Sequence, residues 1–418
     1  MSKIVKLAEI ASLKTGPFGT QFSAKEYTSS GIPVINVKNI GYGQIIEDEL
    51  EFVNEQTRDR LSDHVLQTGD IVFGRKGSVD RHAFISEKYN GWLQGSDCIR
   101  LRFQSGINTR YISHFLKLSH IKKQINCASV GSTMASLNTD ILKNIEIVLP
   151  SLKTQTDVES VLSALERKIE INIQVCIEIE TLAKTLYDYW FTQFDFPNEE
   201  GKPYRSSGGA MEWSAHLKRE IPKGWSVKKF CDICSFRNGI NYEKGCTGNR
   251  VYRIANVRNI TASSLVMDVS DFDEILLPDE QADRYLVKEN DIIIARSGTP
   301  GATRLIFKPA DNVIFCGFII CGSPIKDNHR TYLTYFLKQL EGTSATKTGG
   351  SILQNVSQDT LKSLHVVVPD DETIYSFNEK ITPMFEMMQN IIDENCELTK
   401  LRDWLLPMLM NGQATVSD

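Results

Sequence analysis

The sequence predicts an α+β chain: two copies of one mixed α/β domain, joined by two long helices that form an antiparallel coiled coil. Three observations predict it. IPVINVKNI at positions 32–40 returns as YRIANVRNI at 252–260. Other landmarks recur in the same order at offsets of 219 to 223 residues. After each copy comes a stretch whose apolar residues alternate spacings of three and four, the signature of a helical seam. A chain of 418 residues also exceeds what a single core usually organises.

The repeat runs through the whole of each copy. KLAEIASLKTG (Lys6 to Gly16) parallels KFCDICSFRNG (Lys229 to Gly239), a short amphipathic segment ending in a basic residue and a turn glycine. GDIVFGRKGSVDRHAFI (Gly69 to Ile85) parallels NDIIIARSGTPGATRLI (Asn290 to Ile306). Both read as a buried strand, a basic turn around Gly77 or Gly298, and a second strand. RYISHFLK (Arg110 to Lys117) answers TYLTYFLK (Thr331 to Lys338) as an amphipathic helix, and GSTMASLNTDILKNIEIVLP (Gly131 to Pro150) answers GSILQNVSQDTLKSLHVVVP (Gly350 to Pro369). Strand-like runs such as IVF, IIIA, IEIVLP and HVVVP alternate with few helices, which predicts a mixed, largely antiparallel sheet in each copy. No GxGxxG or Walker motif opens a helix, so a nucleotide-binding reading has no support.

The first seam comprises Val158, Leu162, Leu165, Ile169, Asn172, Cys176, Ile179, Ala183, Leu186 and Trp190; the second runs from Ile374 through Ile381, Phe385, Met388, Ile392 and Asn395. Neither helix can bury its stripe alone. A helix of about 35 residues is roughly 50 Å long, so the simplest arrangement is an antiparallel pair, a rod with a globular head at either end. Asn172 and Asn395 occupy core-type positions: either the buried amides fix the register, or they sit at the edge and are solvated. FDFPNEEGKPYRSSGGAMEW (Phe194 to Trp213), rich in Gly, Pro and Ser, reads as a linker, and IPKGW (Ile221 to Trp225) opens the second head. The first copy begins almost at Met1 with no such lead-in. The domains are accordingly 1–150 and 221–369 for the two heads, 151–195 and 370–418 for the helices, and 196–220 for the linker.

Apolar content of 41% and charged content of 24% are ordinary for a globular protein. No apolar run approaches a membrane span, and the N-terminus lacks the apolar core of a signal peptide, so the chain is expected in the cytoplasm with no membrane partner. Nine cysteines without a regular framework fit reduced thiols. Cys231 and Cys234 form a lone CxxC, with Cys316 and Cys321 too far apart to complete a four-thiolate zinc site, so incidental thiols are the favoured reading. His114 and His120, on or near the aromatic helix, read as packing or surface residues. No GxSxG elbow, HExxH site or amino-methyltransferase motif is present, which argues against catalysis within the chain.

The net charge of −5 hides an uneven distribution: +3 over residues 1–150 and +4 over 218–369, against −4 over 151–195 and −7 over 370–418. The mildly basic heads carry basic and amide side chains beside turn glycines. In the first head these are Lys14, Thr20, Gln21, Lys38, Asn39, Arg75, Lys76, Ser78 and Arg81. In the second they are Arg237, Asn238, Arg258, Asn259, Arg296, Ser297, Thr299 and Arg304. Arg and Lys reach guanine O6 and N7, Asn and Gln can read adenine, and Ser or Thr can contact phosphate, so the set points to double-stranded DNA. For any one residue the alternative stands that Asn39 and Asn259 cap local turns and the basic side chains are solvated.

The chain resembles the specificity subunits of type I restriction-modification systems. The resemblance rests on GPFGTQFSAKEYTSSGIPVINVKNI (Gly16 to Ile40), FDFPNEEGKPYRSSGG followed by IPKGW, and LTKLRDWLLPMLMNGQ (Leu398 to Gln413), and spans essentially the whole chain. It implies that each head is a target recognition domain reading one half of a bipartite, asymmetric DNA site, with the helices setting the gap. It further implies that two modification subunits dock on the helices and methylate adenine N6 after flipping the base. Two restriction subunits would add ATP-driven translocation and cleavage. S-adenosylmethionine, ATP and Mg2+ are then expected on the partners, with no cofactor on this chain. Leu182, Leu186, Trp190, Leu398, Trp404 and Leu405 are the candidate docking residues. The rival readings are a scaffold or anti-restriction mimic that binds modification subunits but not DNA, and an enzyme with an unrecognised site. An acidic head would favour mimicry, and both heads are mildly basic.

Overall fold

The computed structural model describes residues 3–128, 136–242, 245, 247–341 and 356–416, without the side chain of Thr20. The GST and GSI openings of the last repeated landmark lie outside the described residues. The chain forms two compact units, Met1–Lys168 with Leu398–Asp418, and Ile169–Glu397. This division runs through both long helices, Leu152–Tyr187 and Asp371–Met410, because opposite ends of each helix complete the cores of different units.

In the first unit a five-stranded sheet has the order Ala11–Thr15, Cys98–Phe103, Ile71–Gly74, His82–Phe84, Tyr42–Gly43. Its pairs are antiparallel except the last, in which Tyr42 lies beside His82 in parallel. Ile71, Val72 and Phe73 are fully buried, as expected of a strand covered on both faces. A second sheet places Ile32–Ile35 between Glu51–Val53 and Leu93–Gln94, and Lys3–Lys6 pairs with Glu146–Leu149.

The second unit repeats this plan. Cys234–Asn238, Ile319–Pro324, Ile292–Ala295 and Thr303–Arg304 form an antiparallel sheet. Arg250–Ala255 lies between Asp273–Leu277 and Val313–Phe315, and Ser226–Lys229 pairs with His365–Val368. The parallel edge pairing shrinks to a single bridge, Val266 to Leu305. Each copy thus divides its strands among separate small sheets rather than one. Equivalent anchors recur: the hydroxyl of Tyr111 donates to Val148 O at 3.0 Å, and that of Tyr332 donates to Val367 O.

Within the first unit, Val158 and Leu162 of the long helix share a core with Leu409 and Met410 of the last helix. Within the second, Asn172 meets Asn395 while Trp190, farther along, meets Phe377, farther back, so the helices run antiparallel there. Every residue of the first predicted seam is buried or half-buried. The helix closes in a π-helical turn, Asp188–Thr192, which turns Trp190 and Phe191 into the core.

The predicted linker is a correction. Phe196 stacks on Tyr204 at 4.6 Å and on Trp225 at 5.0 Å, Asp195 accepts from the Ser206 backbone at 2.7 Å, and Met211–Ser214 pairs with Arg219–Pro222. Its glycines and prolines mark turns in a folded segment, and its aromatic rings supply the burial that a free linker lacks.

Candidate nucleic-acid interface

The repeated NV-basic-NI segment is a hydrogen-bonded frame. Asn39 is fully buried; its Oδ1 accepts from Asn36 N at 3.1 Å and its Nδ2 donates to Ile46 O and Asp48 O, both at 3.0 Å. Asn259 does the same, accepting from Asn256 N at 2.8 Å and donating to Asp271 O at 3.0 Å. The preceding asparagines are matched too: Asn36 Nδ2 donates to Glu51 and Tyr27, while Asn256 Nδ2 donates to Asp273 and its Oδ1 accepts from Tyr242. Asn39 and Asn259 are therefore turn caps, withdrawn from the set of base-reading candidates, because their amides are buried and committed to local hydrogen bonds.

Two arginines leave the set for a similar reason. Arg237 pairs with Asp291, whose side chain is 1% exposed, and donates to Leu286 O at 2.7 Å. Arg304, 12% exposed, donates to Ser263 O at 3.0 Å and to Glu341 at 3.1 Å. Arg237 neutralises a carboxylate that burial would otherwise strand, and Arg304 is itself largely buried and held by Glu341 and local backbone.

The remaining candidates are surface groups. Lys14 is tied to Asp63 at 2.7 Å, Lys38 faces Glu49 at 3.7 Å, and Arg258 holds Asp273 at 2.6 Å. Gln21 is exposed, and exposed Asn238 hydrogen-bonds Gln358 at 3.0 Å.

The two basic turns are the best-built feature. In the first head Arg75 N donates to Asp97 O at 2.7 Å, and Arg75 O accepts from Leu137 N at 2.9 Å. In the second, Arg296 N donates to Phe318 O and Arg296 O accepts from Val356 N, both at 2.9 Å. Gly77 and Gly298, at φ +76° and +78°, turn the chain through the left-handed region that glycine alone enters without strain. The turns display Lys76 and Ser78 in one copy and Ser297 and Thr299 in the other on equivalent, pinned backbone. Lys76 pairs loosely with Asp97 at 3.1 Å, both half-exposed, and Thr299 Oγ1 lies 3.3 Å from Thr261 Oγ1. Arg296 has no ion-pair partner among the described residues.

The structure adds groups that residue type alone did not single out. The Arg75 guanidinium lies 5.8 Å from the ring centre of exposed Phe18. Arg81 and Lys122 lie 5.1 and 4.3 Å from the ring centre of exposed Tyr42. The signal for Phe18 was present, since it stands between Pro17 and Gly19.

Among the helix candidates, Leu182 and Trp404 are 57% and 60% exposed and Leu398 is half-buried. Leu186 and Trp190 belong to the core of the second unit and Leu405 to that of the first, so their apolar surface is already used inside each unit. Ile171, Ile173 and Ile177, not singled out from the sequence, are about half exposed. No group of three or more His, Cys, Asp or Glu among the described residues is placed to hold a metal. Cys231 is exposed while Cys234 is buried, its thiol pushed up to about 12 by desolvation. His114 is buried in packing, and the His120 ring meets Phe115 edge-on. No helix among the described residues is long and apolar enough to cross a membrane.

Two domains of one plan, each presenting a basic turn on a hydrogen-bonded backbone frame, define a duplicated α+β chain with a candidate nucleic-acid surface in each copy. Residues 2–181 and 222–400 each match the type I restriction modification DNA specificity domain, and the chain belongs to that family. It is similar to the type I restriction enzyme MjaIX specificity subunit of Methanocaldococcus jannaschii, 24% identical with 100% of this chain and 94% of that protein covered. It is also similar to the HindI specificity subunit of Haemophilus influenzae, 22% identical over 90% of this chain and 94% of that one. A crystal structure of the S subunit from M. genitalium shares the fold, with a TM-score of 0.55 at 14% identity, covering 98% of this chain and 96% of the other.

Proposed function

We propose that this chain is the DNA-reading subunit of a type I restriction-modification complex in the cytoplasm, each head reading one half of a bipartite, asymmetric duplex site. The observation that carries this reading is the pair of basic turns. They share one backbone frame and differ in the side chains displayed, Lys76 and Ser78 against Ser297 and Thr299, as two readers of different half-sites require. The paired helices set the distance between the half-sites and dock two modification subunits through outward apolar residues such as Leu182 and Trp404. S-adenosylmethionine is carried by those subunits, and ATP and Mg2+ by two restriction subunits. This chain contributes recognition and spacing, with no bond-making step of its own.

Co-expression with the cognate modification subunits, followed by mapping of N6-methyladenine across the host genome, tests the reading. A split motif with a fixed gap and two unlike halves is the expected result. An assembled complex that methylates no defined motif would overturn it in favour of a scaffold.

A further inference from the structure

Each head carries one large exposed aromatic residue tied to its basic turn: the Phe18 ring lies 5.8 Å from the Arg75 guanidinium, and Phe318 accepts at its carbonyl from Arg296 N at 2.9 Å. Phe18, 56% exposed, stands on a clamped loop: Gly16 N donates to Cys98 O at 2.8 Å, and a Cβ at Gly16 would lie 1.9 Å from Gly95 O. Buried Phe22, packed edge-on against Tyr27 at 5.1 Å, holds the other end. Phe318, 62% exposed, sits in the tight turn closed by Ile319 N donating to Cys316 O at 2.9 Å. Its backbone is fixed from both sides: Phe318 O accepts from Arg296 N, and a Cβ at Gly317 would lie 2.0 Å from Asn241 Oδ1.

Single exposed apolar side chains are ordinary on a protein surface. The recurrence here is of a different kind, because the two rings are not copies of one another. Asp97 is the counterpart of Phe318, its carbonyl accepting from Arg75 N as that of Phe318 accepts from Arg296 N. Asn241 stands at the repeat offset from Phe18. One head is aromatic at the first of these places and polar at the second; the other head is polar at the first and aromatic at the second. Duplication alone does not produce that exchange.

We infer that Phe18 and Phe318 are wedges, each inserting between adjacent base pairs of its half-site while the neighbouring arginine engages the groove. An exposed apolar ring held out on hydrogen-bonded backbone next to a basic turn suits partial unstacking of a base step, the cost on the DNA side being offset by ring–base contact. The wedge also makes each head sensitive to the stiffness of the step it opens, so that flexible pyrimidine–purine steps are preferred where no hydrogen bond reads them.

This inference rests on the reading of the heads as duplex binders, and the test separates the two. The complex of this chain with its modification subunits is titrated with duplexes carrying its methylation motif and 2-aminopurine at successive steps away from the methylated adenines. The wild-type complex is expected to raise 2-aminopurine fluorescence at one step in each half-site. Phe18→Ala removes the signal in one half and weakens binding about tenfold, Phe318→Ala does the same in the other half, and Phe→Trp at either place retains both. A mismatch at the opened step, which lowers the unstacking cost in advance, restores binding to the alanine variants. Unchanged binding and fluorescence in both alanine variants, with binding lost in Arg75→Ala, would sink the wedge and leave the function intact. Alanine variants that lose the modification subunits yet keep DNA contact would assign the rings to a protein interface instead. No sequence preference in the wild-type complex would overturn the functional reading and the wedge together.

Discussion

Asn172 Nδ2 donates to Asn395 Oδ1 at 2.8 Å and to Glu394 at 2.7 Å, with Asn172 only 4% exposed. An amide pair in an otherwise apolar seam costs stability and selects one register, because every slipped alignment leaves both amides facing hydrocarbon. Asn172→Leu alone is expected to destabilise the second unit by about 1–3 kcal/mol through the orphaned Asn395 amide. Asn172→Leu combined with Asn395→Leu should recover most of that loss. A double-mutant cycle in thermal melts measures the coupling.

In the first unit Lys117 pairs with Glu166, the two side chains 15% and 20% exposed, and Arg110 approaches the same carboxylate at 3.8 Å. In the second unit Lys338 pairs with Glu180 at 2.8 Å. Glu166→Ala strands a largely buried lysine and is expected to cost about 2–3 kcal/mol, somewhat below the ~3–5 of a fully enclosed pair. Chemical denaturation of wild type and variant checks it.

Arg75 and Arg237 were equal candidates in sequence and should behave oppositely. Arg75→Ala is expected to cost about 1–3 kcal/mol of specific DNA binding with little change in melting temperature. Arg237→Ala leaves buried Asp291 without its cation and should lower stability by about 2–3 kcal/mol. Binding isotherms and melts on the same two preparations distinguish them.

His82 and His114 are buried neutral, desolvation holding both near pKa 3. The His82 Nε2–H donates to Ser113 O at 3.0 Å, and His114 lies 3.3 Å from Ser163 Oγ. The unfolded chain takes up these protons near pH 6.5 while the folded chain does not. Stability is therefore fully present above about 6.5 and is lost as pH falls toward 3, by up to about 1.4 kcal/mol per pH unit for each histidine. Melting curves between pH 7 and 5 should show the decline, and His82→Gln should make it shallower, leaving the share that His114 contributes.

The repeat, the seams and the basic turns were legible because each is written in local sequence: alternating strands, three-four spacing, a glycine two residues after an arginine. The roles of Arg237 and Arg304 were not, since their carboxylate partners Asp291 and Glu341 lie 54 and 37 residues away. Composition misled at 196–220, where Gly, Pro and Ser suggested a free linker and the stacking of Phe196 on Trp225 makes a folded one. Leu186 and Trp190 were offered as docking residues because a seam shows which residues are apolar, and only the packed structure shows which are already covered. Asn39 illustrates the reverse: its capping of a local turn was one of two readings, and three short hydrogen bonds decide between them.

The backbone of Arg75 and Arg296 is gripped on both sides by main-chain partners, so the path of each turn does not depend on the side chains at 76, 78, 297 or 299. In evolutionary terms such a turn is a socket. A point change there alters the chemistry offered outward at little cost to folding, and a lineage can drift to a new target through intermediates that all remain well folded. The glycines at 77 and 298 enjoy no such latitude, for any other residue would strain the left-handed corner on which the socket is built.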